Sequence, residues 1–479
     1  MKKFISFIVA SVLAISILNT PGVLRADNEM TAEQQVNAIN VGWNLGNTLD
    51  SYGTWITDVT PQSVETAWGN PVTTRQMIAA VRERGFNTIR IPVTWAQFTD
   101  ADGNVDEAWM ARVHEVVDWA LDEDLYVILN VHHDTGEHGS DKVCWVIADT
   151  GTFDQVKNRF EGLWTSIAEE FKDYDNRLMF EGYNEMLDMN NSWNAPTAGN
   201  GAYDAVNSFA QLFVDTVRAT GGNNSTRNLI VNTYVASVDQ NVLNNFVLPD
   251  DTVEDHLICE VHAYAPYQFC SAEGDPSYTA FDDNCRNVID SLMTTVAAFS
   301  DELGVPVIIG EFGVEDQNND SDRVSYTEYY VRRAAAEGIR CIWWDNGLTG
   351  NTGYQIFDRN ALTWNEGIAS ALIDNAPAVS GSGVSDPTDQ TGETEASEQT
   401  EPAEPAEQTE ASQAEETAET AVSEQTIDEA SSSEGEGSDL QNIDKNQENH
   451  TIILIVGAVA LAAAYTGLFL LGRKRGRKQ

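Results

Sequence analysis

The sequence predicts an α/β fold, a (β/α)8 (TIM) barrel, over residues 27–375, and three observations predict it. Short apolar runs recur eight times: AINVGW (38–43), NTIRIPV (87–93), LYVILNVHH (125–133), RLMFEGYN (177–184), NLIVNTY (228–234), HLICEVHAY (256–264), VPVIIGEFG (305–313) and IRCIWWDN (339–346). Between them lie segments such as TTRQMIAAVRERG, WMARVHEVVDWALDEDL and YTEYYVRRAAAEG. Their apolar residues fall at i, i+3, i+4 and i+7, the spacing of a helix with one buried face. Finally, eight strand–helix units in roughly 350 residues match the size of one closed barrel. A doubly wound open sheet is the competing arrangement. It usually carries a phosphate loop after its first strand, and GWNLGNTL lacks the G-x-G-x-x-G order.

The flanks of this domain differ in composition. Lys2 and Lys3 precede the apolar run FISFIVASVLAISIL, and small and turn residues follow to about Ala26. That order reads as a signal peptide over 1–26, so the chain is expected to be exported. Residues 376–450 are dominated by Glu, Thr, Ser, Ala and Pro (TGETEASEQTEPAEPAEQTEASQAEETAET). Such a segment buries too little apolar surface to offset its ordering entropy, and its acids repel one another. It reads as a disordered, extended stalk; an acidic protein-binding tail is the alternative. Ile452–Leu471 is uncharged and long enough to cross a bilayer as a helix, and a basic tail (473–479) follows at once. A transmembrane helix over 451–472 with the tail in the cytoplasm is therefore expected, rather than a buried core helix. No L-P-x-T-G stands upstream of it. The expected product is a monomer on the cell surface, attached to the membrane by its C-terminal helix.

The 75 acidic against 27 basic residues give a formal net charge of −48. A nucleic acid would be repelled by such a chain. Of the five cysteines, Cys270 and Cys285 share one loop-like stretch and could pair. Cys259 and Cys341 sit in apolar runs and are expected in the core.

In a barrel of this kind the site forms at the C-terminal ends of the strands. Polar residues gather at those ends on run after run: Asn44 and Asn47, Arg90, His132 and His133, Asn184 and Glu185, His262 and Tyr264, Glu311, then Trp344, Asp345 and Asn346. Glu185 and Glu311, at the ends of the fourth and seventh runs, would face each other across the mouth. Two carboxyls so placed suit glycoside cleavage, one as proton donor and one as nucleophile, about 5–5.5 Å apart in retaining enzymes. Arg90 and Tyr264 are suited to holding Glu311 ionised, which would leave Glu185 protonated near neutral pH. Asn184 could bond a sugar 2-hydroxyl.

Plainer readings stand beside these. Glu181, in FEGYNEM (180–186), is expected to be a salt-bridged or rim residue, and Glu260 a buried partner on the face of His262. HHDTGEH offers His132, His133, Asp134 and His138, but adjacent strand residues point to opposite faces. No metal and no other cofactor is expected. Among Trp43, Trp68, Trp95, Trp145, Trp193, Trp343 and Trp344, about half are expected in the core and half exposed for stacking on sugar rings.

Taken together, GWNLGNTLD, IRIPVTW, NVHHD, GYNEM, VHAYAPY, IIGEFG and WWDNG resemble glycoside hydrolase family 5, the cellulase family of clan A. The likeness runs from about Gly42 to Trp364 and is greatest to bacterial endoglucanases of the subfamily 4 kind. Only Ser51, after NTLD, departs in a minor way. The resemblance implies a metal-free barrel that hydrolyses β-1,4-linked glucans with retention. It implies Glu185 as acid/base and Glu311 as nucleophile, with Arg90, His132, Asn184, His262, Tyr264 and Trp344 at the remaining site positions. Asn44, His133 and Asn346 complete the candidate substrate-binding and supporting set. The expected substrate is a β-glucan polysaccharide: cellulose, mixed-linkage glucan or xyloglucan. The alternatives are a β-mannanase of the same family and a surface glycan-binding protein without catalysis.

Overall fold

The computed structural model describes residues 30–271, 278–350 and 353–379. The leader, the stalk beyond residue 379, the 451–472 segment and the basic tail lie outside the described residues. Among those described, no helix is long and apolar enough to cross a membrane.

Eight parallel strands close on themselves in chain order, with β1 also pairing β8. They are β1 (Gly42–Asn44), β2 (Thr88–Ile91), β3 (Tyr126–Asn130), β4 (Leu178–Glu181), β5 (Leu229–Asn232), β6 (Leu257–His262), β7 (Val307–Phe312) and β8 (Arg340–Trp343). Each is shorter than the apolar run that announced it. His132, Asn184, Glu185, Tyr264 and Trp344 therefore stand on the segments just past the strands. Helices wrap the outside at Arg75–Arg84, Glu107–Asp122, Thr150–Glu170, Ala202–Thr220, Asp283–Leu303, Asp320–Ala336 and Glu366–Asp374. After β5 there are only two short helical turns, Tyr234–Ala236 and Gln240–Leu243. Asp106, Asp149, Asp282 and Asn365 accept backbone N–H groups at their helix starts, caps typically worth about 1 kcal/mol each.

The barrel interior is layered because every second strand residue points inward. Ile128, Met179, Ile230, Ile258, Ile308 and Ile342 form an apolar cluster with Ala32, Val36 and Ile39. The helix Ala32–Ala38, which the sequence reading did not anticipate, thereby closes the N-terminal mouth. Two residues further along their strands stand Asn130, Glu181, Asn232, Glu260 and Gly310. With Asn44 and Arg90, the polar side chains of this layer are wholly buried. The site thus rests on a sealed polar floor above an apolar plug.

The floor depends on an irregularity in β7. Pairing with β6 skips from Ile309 to Glu311, so β7 carries one extra residue. The bulge places both Gly310 and Glu311 on the inner side, while Phe312 stacks outward on Tyr330. A side chain at residue 310 would have to displace Glu260, because a Cβ there would stand 1.8 Å from the Glu260 carboxylate oxygen.

All five cysteines are free, so the pairing left open for Cys270 and Cys285 is not made. Both are buried, and their thiols point to other partners. Cys270 donates to the Tyr326 hydroxyl at 3.3 Å and Cys285 faces the Ala280 carbonyl at 3.8 Å. Cys259 and Cys341 lie in the core as expected.

Candidate active site

The site is organised around Arg90, whose guanidinium is inaccessible to water. Its Nε and Nη2 grip Glu181 at 2.7 and 2.8 Å, and its Nη1 donates to Glu311 at 2.7 Å. Nη1 and Nη2 also reach Asn44 Oδ1 at 3.0 Å and Asn184 Oδ1 at 2.9 Å. Glu260 adds a third carboxylate 3.3 Å from Nε. Burial alone would lower the Arg90 pKa, but Glu181, Glu260 and Glu311 outweigh it and hold the group far above its ordinary value. Glu181 is therefore salt-bridged, as expected, and is no rim residue. Asn130 and Asn232 support it with amide donors at 3.1 and 3.3 Å. Those two asparagines escaped the sequence reading. Their signal was positional: each ends a strand, in phase with an inward isoleucine two residues earlier.

Glu311 accepts from Arg90 on one oxygen and from the Tyr264 hydroxyl on the other, at 3.0 Å. His262 brings its Nδ1 within 2.8 Å of Glu185 and 3.6 Å of Glu311, and its Nε2 within 3.2 Å of Glu260. Glu185, His262 and Glu311 each offer an atom to a cluster no wider than 4.8 Å. The two carboxylates thus face each other at the close separation that lets one attack a sugar carbon directly.

The electrostatics depart from expectation in one respect. Burial is the largest influence on Glu311 and pushes its pKa up, with the Glu185 charge adding to it. His262, Arg90 and Tyr264 pull against that rise without reversing it. The expected net lowering left out desolvation beneath the rim. The two buried histidines are driven in opposite directions. Burial would lower His262, but Glu311, Glu185 and Glu260 overcome it and raise its pKa to about 10. His132 is held well below the usual range by burial and by the neighbouring His133, Arg90 and His262. A neutral His132 suits its contact with Asn130, whose amide lies 3.1 Å from Nδ1. Its ring stacks on Trp344, centroids 5.8 Å apart and planes within 6°.

The other candidates take varied places. Asn44 is fully buried, with its amide on the Gly310 carbonyl at 2.9 Å and its oxygen on Arg90, so it supports rather than faces a ligand. Asn346 accepts from the backbone of Leu348 and Tyr354 and shapes the loop beyond β8. Asp345 anchors the same loop through Trp43, Ile356 and Phe357, setting the position of Trp344. His133 leans against Trp68 and Tyr52, with Nε2 3.7 Å from Asp50.

Contrary to expectation, His132 and His133 do not face apart, because β3 ends at Asn130 and strand alternation no longer applies. Atoms of Asp50, His132 and His133 lie within 4.8 Å of one another. Asp134 has other work, accepting from the Trp95 backbone at 2.7 Å and the Trp145 indole at 2.6 Å. Of the seven tryptophans considered, Trp43, Trp95 and Trp343 are buried and the other four are partly exposed, near the expected half.

The Cellulase family, glycosyl hydrolase family 5, matches residues 49–350 of this sequence. The chain belongs to that family. Endoglucanase A of Ruminococcus albus is 40% identical over 359 residues, which cover 73% of this chain and 93% of the relative. Among solved structures, a GH5-4 broad specificity endoglucanase from Ruminococcus champanellensis with bound cellotriose is 41% identical. It superposes with a TM-score of 0.68 over 73% of this chain and 99% of its own. A family 5 glycoside hydrolase from Prevotella bryantii B14, in complex with a xyloglucan tetradecasaccharide, is 40% identical with a TM-score of 0.66. That match covers 72% of this chain and 99% of the other. The family 5 barrel, read from seven sequence motifs, is thus the one the chain folds into.

Proposed function

We propose that this family 5 enzyme cleaves β-1,4-glucosidic bonds inside plant cell-wall glucans by double displacement. The observation that carries the reading is the facing pair Glu185 and Glu311 within the 4.8 Å cluster, each held by different partners. Glu311 attacks the anomeric carbon while Glu185 gives its proton to the departing glycosidic oxygen. An ester between Glu311 and the sugar results. Glu185, now a carboxylate, takes a proton from water, the water oxygen attacks the same carbon, and the Glu311 carboxylate leaves. Two inversions give net retention. Arg90 and Tyr264 neutralise the Glu311 carboxylate when it leaves, and Asn184, fixed by Arg90, is placed to bond the sugar 2-hydroxyl. His132, His133 and Trp344 supply ring surface beside the reacting sugar.

Relatives that hold cellotriose and xyloglucan fragments support a glucan backbone, with side-chain branches tolerated. Reducing-sugar release from cellulose, mixed-linkage glucan, xyloglucan, mannan and xylan tests this. The expected result is rapid cleavage of the glucans, with NMR showing a retained anomeric configuration in the first product. Cleavage of mannan alone, or an inverted product, would overturn the reading.

The enzyme acts outside the cell as a monomer, exported by its leader and held by the apolar segment at 451–472. The stalk, at about 3.3–3.6 Å per residue, reaches as far as roughly 250 Å when stretched. Activity is expected to sediment with membranes and to be released by detergent. Activity that resists detergent but is freed by cell-wall digestion would show a different attachment.

A further inference from the structure

Glu260 is not one of the two carboxyls assigned to the chemistry, yet the fold makes room for it at some cost. It is wholly buried on β6, and its Oε1 takes the space that any side chain at residue 310 would need. Its Oε2 has no hydrogen-bond partner among the described residues. Leaving a buried carboxylate oxygen unsatisfied is unfavourable, typically by about 1–3 kcal/mol or more. Structural demand alone would be met by a smaller or neutral residue. What Glu260 does contact is informative: Nε2 of His262 at 3.2 Å and Nε of Arg90 at 3.3 Å.

His262 in turn lies with its other nitrogen 2.8 Å from Glu185. A neutral imidazole has one N–H and could donate to only one of these carboxylates. While Glu185 keeps its proton, its own O–H can donate to Nδ1 of a neutral ring. Once Glu185 is a carboxylate, donating to both it and Glu260 requires the doubly protonated ring. The charged and titratable groups around His262 are Glu260 on its own strand, Glu185 after β4, Glu311 on β7, Arg90 on β2 behind Glu260, and the neutral His132 after β3. Arg90 and His132 disfavour or do not favour a further positive charge. Glu185 and Glu311 change protonation or bonding during the reaction, and Glu260 does not.

We propose that Glu260 is a positioning residue that keeps His262 doubly protonated throughout the catalytic cycle, so that a fixed positive charge faces Glu185 after it has given up its proton. The proposal rests on the reading of Glu185 as acid/base. Glu260 acts through His262 and touches no sugar.

The test is nitrogen NMR of the full-length chain labelled with [15N]histidine, with the His262 signals assigned by their loss in His262→Asn. In the wild type both ring nitrogens are expected at imidazolium positions at pH 7. A neutral His262 at that pH would overturn the proposal. In Glu260→Gln, His262 is expected to titrate at lower pH, and kcat to fall about tenfold or more with KM within about twofold, because no sugar contact is lost. An unchanged His262 titration in that variant would overturn the proposal, even if activity fell. If the Gln variant does not fold, Glu260→Asp moves the charge back by one methylene. An acid-ward shift there supports the proposal, and none overturns it. The NMR readout is separate from hydrolysis. An enzyme that cleaves no glucan but shows the expected His262 titration would count against the proposed function alone.

Discussion

Arg90 on β2 and Glu181 on β4 are joined by two hydrogen bonds, 2.7 and 2.8 Å long, with both side chains sealed from water. The same guanidinium reaches Glu311 and Asn184, so a structural clamp and the proposed nucleophile share one cation. A buried pair of this kind adds little net stability, but breaking it from one side strands a charge. It fixes the position of Glu311 relative to the opposite wall.

Glu181→Ala leaves Glu311 and Glu260 facing the guanidinium but removes the acceptor of Arg90 Nε and Nη2 and of the Asn130 and Asn232 amides. It is expected to destabilise the barrel by about 1–3 kcal/mol or more. Thermal melting checks this. A Tm within a degree or two of wild type would mean that Arg90 finds another partner, and the clamp would lose its assigned role.

His262 makes stability depend on pH. Its pKa rises from about 6.5 in an unfolded chain to about 10 in the fold. A group raised on folding contributes fully below its unfolded value, and the contribution is lost as pH climbs through the folded value. Stability from this residue is thus expected to decline between about pH 6.5 and 10, by a few kcal/mol at most. Melting curves across that interval should fall less steeply for His262→Gln than for wild type. Parallel curves would show that the residue is not charged in the fold.

Gly310→Ala should disturb both packing and chemistry. The added Cβ meets the Glu260 carboxylate at 1.8 Å, and Glu311 is the next residue. A loss of about 1–3 kcal/mol, the usual range for overpacking, is expected together with a marked drop in kcat. Pairing the change with Glu260→Ser should restore part of the stability. Equal stability of the single and double variants would place the strain elsewhere.

The sequence made some of this arrangement visible and hid the rest for physical reasons. Period-two alternation correctly put Glu260 on the face of His262, and the gathering of polar residues at strand ends marked Asn44 and Arg90, both of which are buried. The same alternation places Glu311 with Ile309, on the outer face. Only the bulge after Ile309 turns it inward, and a one-residue register change leaves no compositional trace. The motif IIGEFG, through its resemblance to the family, located the residue that periodicity would have misplaced. The Arg90–Glu181 clamp joins residues 91 positions apart, so local pattern could not pair them. Cys270 and Cys285 stayed undecided for the converse reason. Nearness in the chain suggested a bridge, but tertiary packing sends each thiol to a different neighbour.

The division of labour between Glu185 and Glu311 is separable by the leaving group. An activated aryl β-cellobioside needs no protonation to depart, so Glu185→Ala should retain much of its activity there while losing polysaccharide cleavage. Glu311→Gln should be inactive on both. Similar residual rates for the two variants would refute the assignment.

The central claim is that Glu311 forms the covalent bond to sugar, and trapping that bond tests it most directly. A 2-deoxy-2-fluoro β-cellobioside with a good leaving group should inactivate the enzyme and leave one fluoroglycosyl group attached. Peptide mass spectrometry is predicted to find it on the VIIGEF segment at Glu311. Label on Glu185, on Glu260 or on no residue of an inactivated enzyme would contradict the mechanism.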